Sequence, residues 1–199
     1  REINVCRIVR FICRIRGENC NMEYLYDKLK KLENSDVYGF HMPGHKRNGT
    51  LTGADLPYGL DITEIDGFDD LHHADGILKE AQERAAYIWH ADESHYLING
   101  STVGLISAIL GCTHRGDTIL MARNCHKSVY NAVFLNELRP VYLYPQLFSS
   151  GEKEEGDLNG PVTALQVDHA LNDNPDIRAV VITSPTYDGV VSDVRSIAE

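Results

Sequence analysis

The chain has 199 residues, of which 43% are hydrophobic and 24% are charged, a composition typical of a globular domain with an apolar core. The formal net charge of −10 argues against general binding to nucleic acid or to an anionic membrane surface, and it suits a cationic substrate. No run approaches the roughly 18 apolar residues of a membrane-spanning helix. The five cysteines form no Cys-x-x-Cys pair, so we expect a reduced, cytoplasmic protein without a disulfide framework.

The two ends of the chain differ from its middle. Residues 1–21 are basic and apolar and begin with Arg1, and we interpret them as an extension upstream of a natural start at Met22. A targeting peptide is disfavoured because no cleavage site with small residues follows. The other end, Glu199, lies in a predicted helix, before the strand that would follow in a doubly wound fold. We therefore expect a domain that is truncated at its C-terminus.

The first half of the sequence predicts two helices separated by an irregular segment. Apolar positions 25, 29 and 32 repeat with the helical period after Met22. Residues 40–71 lack a period and are rich in glycine and proline, but their aromatic content argues against disorder and favours a functional loop. A second helix is predicted over residues 77–90, with Asp75 as its N-terminal cap. We place a first region at residues 22–74 and a major domain at residues 75–199.

Strands and helices alternate in the remainder of the chain. The predicted strands are 96–98, 118–122, 141–144 and 178–183, and the predicted helices are 102–110, 127–137 and a helix ending near residue 172. Since parallel neighbouring strands need helical crossovers, this alternation predicts a three-layer α/β fold with a mainly parallel sheet. Ligands of such folds bind at the carboxyl ends of the strands.

A glycine turn at residues 99–104 (NGSTVG) follows the first of these predicted strands and opens a helix. The first amides of a helix have no intrahelical partner, and the helix dipole is positive there. With the hydroxyls of Ser101 and Thr102, this end predicts a socket for a phosphate or another small dianion. The segment at residues 123–128 (RNCHKS) follows the strand predicted at 118–122. The segment from residue 184 onward follows the strand predicted at 178–183. Together they suggest a phosphorylated cofactor with a flat ring.

Six motifs, taken in order, resemble the ornithine/lysine/arginine decarboxylases, which are enzymes that depend on pyridoxal 5′-phosphate (PLP). They are FHMPGHK at 40–46, DITE at 61–64, GFDDLH at 67–72, NGSTVG at 99–104, RNCHKS at 123–128 and PTY at 185–187. The resemblance runs from about residue 22 to the C-terminus and is greatest to the short bacterial arginine or lysine decarboxylases. It implies the aspartate-aminotransferase fold, in which residues 22–74 would supply an N-terminal helix and an irregular active-site segment and residues 75–199 an incomplete PLP-binding major domain.

The resemblance also implies roles for particular residues. Ser101, Thr102 and the amide of Val103 would hold the cofactor phosphate. His126 would lie flat against the pyridine ring. Thr186 would lie near the phenolic oxygen of the cofactor. Ser184 stands where the family often has asparagine, so a hydroxyl replaces an amide at that contact.

A substrate-side contact is implied for His45 and Lys46 by their place in the irregular segment. The lysine that would form the Schiff base, and the acid that would keep the ring nitrogen protonated, are expected beyond the C-terminal end of this sequence. Lys127 is not that lysine by position. We therefore expect the 199-residue chain to be inactive alone, although its family decarboxylates arginine, lysine or ornithine, a step of polyamine metabolism.

The alternatives to a decarboxylase are an aminotransferase or another PLP lyase of the same fold, or a non-catalytic chain that binds only phosphate or a partner. A metal site is disfavoured because the pairs His72/His73 and His90/His95 do not have ligand spacing. The expected partners are a basic amino acid and, in the full-length form, further copies of the chain as a homodimer or a higher homo-oligomer. Nucleic acid and membrane partners are not expected.

Overall fold

The computed structural model describes residues 23–148, apart from 52 and 54, and residues 158–199. The extension predicted at residues 1–21 and three of the cysteines lie outside the described residues. The chain divides into two compact units, whose described parts are residues 23–96 and 97–199. The helix predicted over residues 77–90 therefore clusters with the first unit, although we had assigned it to the major domain.

The elements of the two units follow one another in this order. The first unit contains α1 (Leu25–Glu33), two short 3₁₀ turns (Gly49–Leu51 and Tyr58–Leu60) and α2 (Ile77–Trp89). The second unit contains α3 (Gly100–Cys112), β1 (Thr118–Ala122), α4 (Lys127–Leu135), β2 (Arg139–Leu143), β3 (Leu147–Phe148), β4 (Leu158–Asn159), α5 (Ala164–Asp173), β5 (Ile177–Val181) and α6 (Val194–Ala198).

A parallel sheet forms the centre of the second unit and confirms the predicted α/β class. β1 lies between β2 and β5 and pairs with both in parallel. The β1–β2 register runs from Thr118 opposite Arg139 to Ala122 opposite Leu143. All five residues of β1 are buried, as a run without polar alternation predicts for a strand covered on both faces.

The helices cover both faces of this sheet. The chain leaves β1 for β2 through α4 and crosses back to β5 through α5, on the other side of β1. Crossovers between parallel strands are right-handed. Because the chain moves along the sheet in one direction from β1 to β2 and in the other direction from β2 to β5, α4 and α5 lie on opposite faces of the sheet. α3 packs against α4, and α6 packs against α5. The core is contributed by the strands together with Ile109 of α3, Val129 and Ala132 of α4, and Val167 of α5.

The C-terminal ends of α3 and α4 lie together at the amino edge of the sheet. The Asn136 side-chain amide, just after α4, donates to the Thr113 hydroxyl, just after α3, at 3.0 Å. The Arg139 amide at the start of β2 donates to the Asp117 carbonyl before β1 at 2.9 Å. Since both helices end at this edge and pack along one another, their N-terminal ends are directed towards the carboxyl edge.

The predicted strand at residues 96–98 is wrong. These residues join no sheet in the part of the chain that the structure describes. The Tyr96 amide donates to the Gln82 side-chain oxygen instead of to a neighbouring strand. Leu97 packs against the turn, and its Cδ1 lies 2.9 Å from the position that a Cβ on Gly104 would occupy. A short apolar run becomes a strand only where a neighbouring strand is available.

Asp75 does not cap α2, and a different carboxylate does. Asp69 Oδ2 accepts hydrogen bonds from the amides of Gly76 and Leu78, both at 2.9 Å. The φ of Asp69 is +70°, a left-handed conformation that aspartate and asparagine tolerate better than most residues. The predicted cap failed because the chain reverses before the helix and carries an earlier aspartate to the helix end.

Other predicted elements agree within a few residues. The described residues of the long segment between α1 and α2 form only turns, irregular chain and the two 3₁₀ elements. The polar stretch at 149–160 ends in β4, which pairs antiparallel with β3; residues 149–157 are not described. None of the described helices is long and apolar enough to cross a bilayer. No group of three or more metal-ligating side chains occurs among the described residues.

Candidate cofactor site at the carboxyl edge of the sheet

The segments that follow β1 and β5 contact one another at the carboxyl edge of the sheet. The buried Cys125 thiol, in the segment after β1, donates to the Val181 carbonyl at 3.6 Å. The Thr183 hydroxyl donates to the Cys125 sulfur at 3.8 Å. Burial raises the pKa of this thiol, while the Thr183 bond opposes the rise. Cys125 is therefore a protonated packing residue that links the two segments.

The N-terminal end of α3 is open. Gly100 has a φ of +65°, a conformation that glycine adopts without strain, and a Cβ there would meet no atom within 4 Å. Asn99 precedes the helix but makes no capping hydrogen bond with its side chain. Ser101 and Thr102 are exposed and Val103 is half-buried. The first-turn amides and two hydroxyls thus form an unobstructed, partly positive donor group, which suits a small anion.

His126 caps α4 and has a fixed ring. Its Nδ1 accepts from the Ser128 amide at 3.2 Å and lies 2.8 Å from the Ser128 hydroxyl oxygen. Because Nδ1 accepts the amide proton, the neutral ring carries its own proton on Nε2. The residue is exposed while Ser128 is buried. This arrangement orients an imidazole at the carboxyl edge of β1 and leaves surface available for stacking.

The hydroxyls of Ser184 and Thr186 hold the loop after β5. The Thr186 hydroxyl oxygen accepts from the Val190 amide at 3.1 Å, and the Ser184 oxygen accepts from the Ser192 amide at 3.0 Å. Each oxygen uses a lone pair in its bond, so each hydroxyl retains its proton for donation to another acceptor. Thr186 is buried and Ser184 is half-buried, so both positions are set by the loop.

His45 and Lys46, in the first unit, are engaged in local contacts. His45 Nε2 lies 3.0 Å from Asp61 Oδ2, and its Nδ1 accepts from the Arg47 amide at 2.9 Å. Lys46 Nζ donates to the His41 carbonyl at 2.5 Å. Both ring nitrogens of His45 are therefore occupied, whereas the ammonium of Lys46 has further N–H donors. A substrate contact by the imidazole of His45 would require one of its bonds to break.

Two residues of the RNCHKS motif, Arg123 and Asn124, lie at the carboxyl end of β1 but have no role predicted from the sequence. Arg123 and Asn124 directly follow β1, and the Asn124 Oδ1 atom is buried with no hydrogen-bond partner in the part of the chain that the structure describes. Their place at the end of a parallel strand was the available signal. The sequence does not show burial, and only the packed structure reveals which polar atom is removed from water without gaining a hydrogen-bond partner.

These features define a parallel α/β domain with candidate donors for an anion at the carboxyl edge of its sheet. The donor set fits a phosphate monoester that carries an aromatic ring: two hydroxyls at an open helix end for the phosphate, a fixed imidazole, and two oriented hydroxyls. Lysine decarboxylase A from Pseudomonas aeruginosa has a similar fold, with a TM-score of 0.64 and 24% identity over 82% of this chain and 24% of that one.

The chain belongs to the Orn/Lys/Arg decarboxylase family, whose major domain matches residues 24–199. It is 40% identical to the protein YaaO of Bacillus subtilis over 87% of this chain, and 30% identical to the arginine decarboxylase of the same organism over 88%. The match covers 36% of each of these two relatives. The chain thus spans about a third of the length of the curated relatives it matches.

Proposed function

We propose that this chain provides the phosphate-binding and ring-binding part of a PLP-dependent decarboxylase that acts on a basic amino acid. The observation that carries the proposal is the open N-terminal end of α3, with two exposed hydroxyls, in a chain of the Orn/Lys/Arg decarboxylase family. Relatives named as arginine decarboxylases and as lysine decarboxylases both occur, which supports a basic amino acid as the substrate class. When bound, PLP supplies an electron sink for the electrons left when CO₂ departs.

The proposed roles are those that the resemblance to the family implies, and the hydrogen bonds of these residues support them. Ser101, Thr102 and the Val103 amide bind the phosphate dianion at the positive end of α3. His126 is held by Ser128 and orients the ring by stacking. Thr186, whose oxygen accepts from the Val190 amide, would donate its hydroxyl proton to the phenolic oxygen of PLP, and Ser184, whose oxygen accepts from the Ser192 amide, would contribute a second hydroxyl.

We further propose that the 199-residue chain alone does not catalyse the decarboxylation of an amino acid. The resemblance assigns the lysine that holds the cofactor covalently, and the acid that protonates its ring, to positions outside this sequence. A lysine is needed both to tether PLP and to exchange it onto the substrate amine. The full-length form would act as a homo-oligomer in the cytoplasm, an environment that suits the buried thiol of Cys125.

The phosphate site is tested with pyridoxine 5′-phosphate, which has an alcohol in place of the aldehyde and cannot react with lysines. We expect the chain to bind it in a fluorescence titration at least about tenfold more tightly than pyridoxine, because the dianion gains charge-assisted hydrogen bonds. The double variant Ser101→Ala/Thr102→Ala should lose most of this preference. Ser107→Ala is the matched control, since Ser107 is exposed on the same helix. Equal binding of the two compounds would refute the phosphate site.

Turnover is measured as CO₂ release from arginine, lysine or ornithine in the presence of PLP. We expect the rate with the 199-residue chain to equal that of the free cofactor. A steady rate well above it would overturn the proposed inactivity of the chain alone, and it would show that one of its own lysines serves the reaction.

A further inference from the structure

Ser128, the last residue of the RNCHKS motif, contacts the candidate ring-stacking histidine through two of its groups. It lies in the first turn of α4 and is 1% exposed. Its hydroxyl oxygen lies 2.8 Å from His126 Nδ1, and its amide donates to the same nitrogen at 3.2 Å. A buried serine thus places a hydroxyl and an amide against one atom of the imidazole, while the ring itself belongs to an exposed residue.

These two contacts decide where the protons of the pair lie. Nδ1 accepts the amide proton and therefore carries no proton itself. Two lone pairs facing each other at 2.8 Å would repel, so the Ser128 hydroxyl proton lies between the two atoms and the hydroxyl also donates to Nδ1. Because Ser128 is buried, water does not replace its hydroxyl as a donor. The proton of the neutral ring is confined to Nε2.

The charges around His126 favour the uncharged ring as well. His126 is the N-terminal cap of α4, where the helix dipole is positive and disfavours a cation. The next residue along the chain is the exposed Lys127. Among the described residues no carboxylate forms an ion pair with His126. A proton on Nδ1 would break both hydrogen bonds to Ser128 with no negative charge to compensate.

We propose that Ser128 is a positioning residue that holds His126 in its neutral Nε2–H tautomer and in one orientation. The purpose of this arrangement rests on the proposed function, in which His126 stacks on a cofactor ring whose nitrogen is kept protonated. A neutral imidazole stacks on such a ring without the repulsion that an imidazolium would add. Ser128 acts through His126 and does not itself touch the ring.

The tautomer is measured on the 199-residue chain without cofactor, by long-range proton–nitrogen correlation NMR of labelled histidine at neutral pH. We expect His126 to show an unprotonated Nδ1 and a protonated Nε2 in one fixed form. His169, an exposed histidine of α5, is the internal reference, and its nitrogen signals should be averaged over its forms. A protonated Nδ1 in His126, or averaging like that of His169, would overturn the proposal without the need for any variant.

Variants separate positioning from the general stabilisation that a buried hydroxyl gives. Ser128→Ala removes the hydroxyl donor, so the His126 nitrogen signals should move towards averaged values, whereas Ser128→Thr should keep them. Thr118→Val is the matched control, because the buried Thr118 hydroxyl donates to Asp176 at the amino edge of the sheet. Ser128→Ala and Thr118→Val should both lower the melting temperature, but only the first should move the His126 signals. Unchanged His126 signals in Ser128→Ala would refute the positioning role.

Ligand binding relates the tautomer to the cofactor site. Ser128→Ala should weaken the binding of pyridoxine 5′-phosphate by at least about threefold, the loss expected for one neutral hydrogen bond. It should leave the binding of inorganic phosphate unchanged, because the phosphate group is assigned to α3. Equal binding of pyridoxine 5′-phosphate by Ser128→Ala and the wild type would overturn the positioning role. A fixed Nε2–H tautomer in a chain that does not bind pyridoxine 5′-phosphate would support the tautomer assignment and refute only the proposed cofactor site.

Discussion

The two compact units stabilise their backbones in different ways. In the unit of residues 97–199, a central strand is completely buried and paired on both sides by backbone hydrogen bonds. In the unit of residues 23–96, the buried apolar residues among those described are Ile77, Ala81 and Ala86, all on one helix. Side-chain hydrogen bonds to the backbone organise the rest of that unit. A segment without a sheet can still hold one conformation when charged side chains satisfy its amides and carbonyls.

Asp69 and Arg47 show this second mode most clearly. Asp69 Oδ1 accepts from the Asp70 and Asp75 amides, both at 2.9 Å, and its Oδ2 accepts from amides at the start of α2. Arg47 donates from its guanidinium to the Leu32 and Val37 carbonyls, after a turn in which its own φ is +60°. Each side chain connects backbone groups that are distant in sequence, as a strand ladder does in the other unit.

The largest effect is expected in the sheet unit from Leu120→Ala. Leu120 is fully buried in β1, and truncating it removes apolar contacts on one face of the sheet and leaves a cavity. The free energy of unfolding should fall by about 2–5 kcal/mol, measured by urea denaturation. Leu165→Ala on α5, where the leucine is exposed, should change stability by less than about 0.5 kcal/mol. Similar losses for both variants would contradict the role assigned to the buried strand.

A smaller effect is expected in the first unit from Asp69→Asn, which keeps the left-handed backbone but removes the negative charge. Desolvation raises the pKa of Asp69, but the donated amide bonds outweigh it and hold the pKa well below its ordinary value. A lowered pKa in the folded state stabilises the fold above the unfolded carboxyl pKa of about 3.9, and this contribution is lost as the pH falls through the folded value. The variant should therefore melt below the wild type at pH 7, and the gap should narrow at pH values under about 3.9.

Hydrogen exchange locates this effect. The amides of Gly76 and Leu78 should exchange faster in Asp69→Asn than in the wild type, because they donate to the carboxylate. Asp66→Asn, at an exposed aspartate three residues before Asp69, is the matched control. A melting difference that stays constant from pH 7 to pH 3 would show that the carboxylate charge is not the cause.

The smallest effect is expected from an exposed ion pair in the sheet unit. Arg115 donates from Nε to Glu137 at 2.8 Å, and both side chains are more than half exposed, at 73% and 59%. Arg115→Ala should lower the free energy of unfolding by less than about 1 kcal/mol, and added salt should reduce the difference. A loss as large as that of Leu120→Ala would mean that surface charge, and not strand burial, sets the stability of this unit.

The sequence alone determined the features that depend on neighbouring residues. The apolar run of β1 predicted a buried strand at its observed bounds, the alternation of elements predicted the parallel α/β unit, and the order of six motifs indicated the family. The glycine turn before α3 was recognised from local chemistry in the same way. The roles of Ser101, Thr102, His126, Ser184 and Thr186 at a cofactor remain predictions, because a motif names residue types and not a bound group.

Only the tertiary structure decided features that depend on residues brought together from distant positions. Residues 96–98 are apolar like β1, but no neighbouring strand pairs with them among the described residues. Asp69 caps α2 in place of Asp75 because the chain reverses between these two residues. The Asn124 oxygen, which is buried with no hydrogen-bond partner among the described residues, is of this kind as well. Periodicity and propensity act over a few residues, whereas burial and hydrogen-bond satisfaction are properties of the packed chain, so sequence patterns alone did not reveal them.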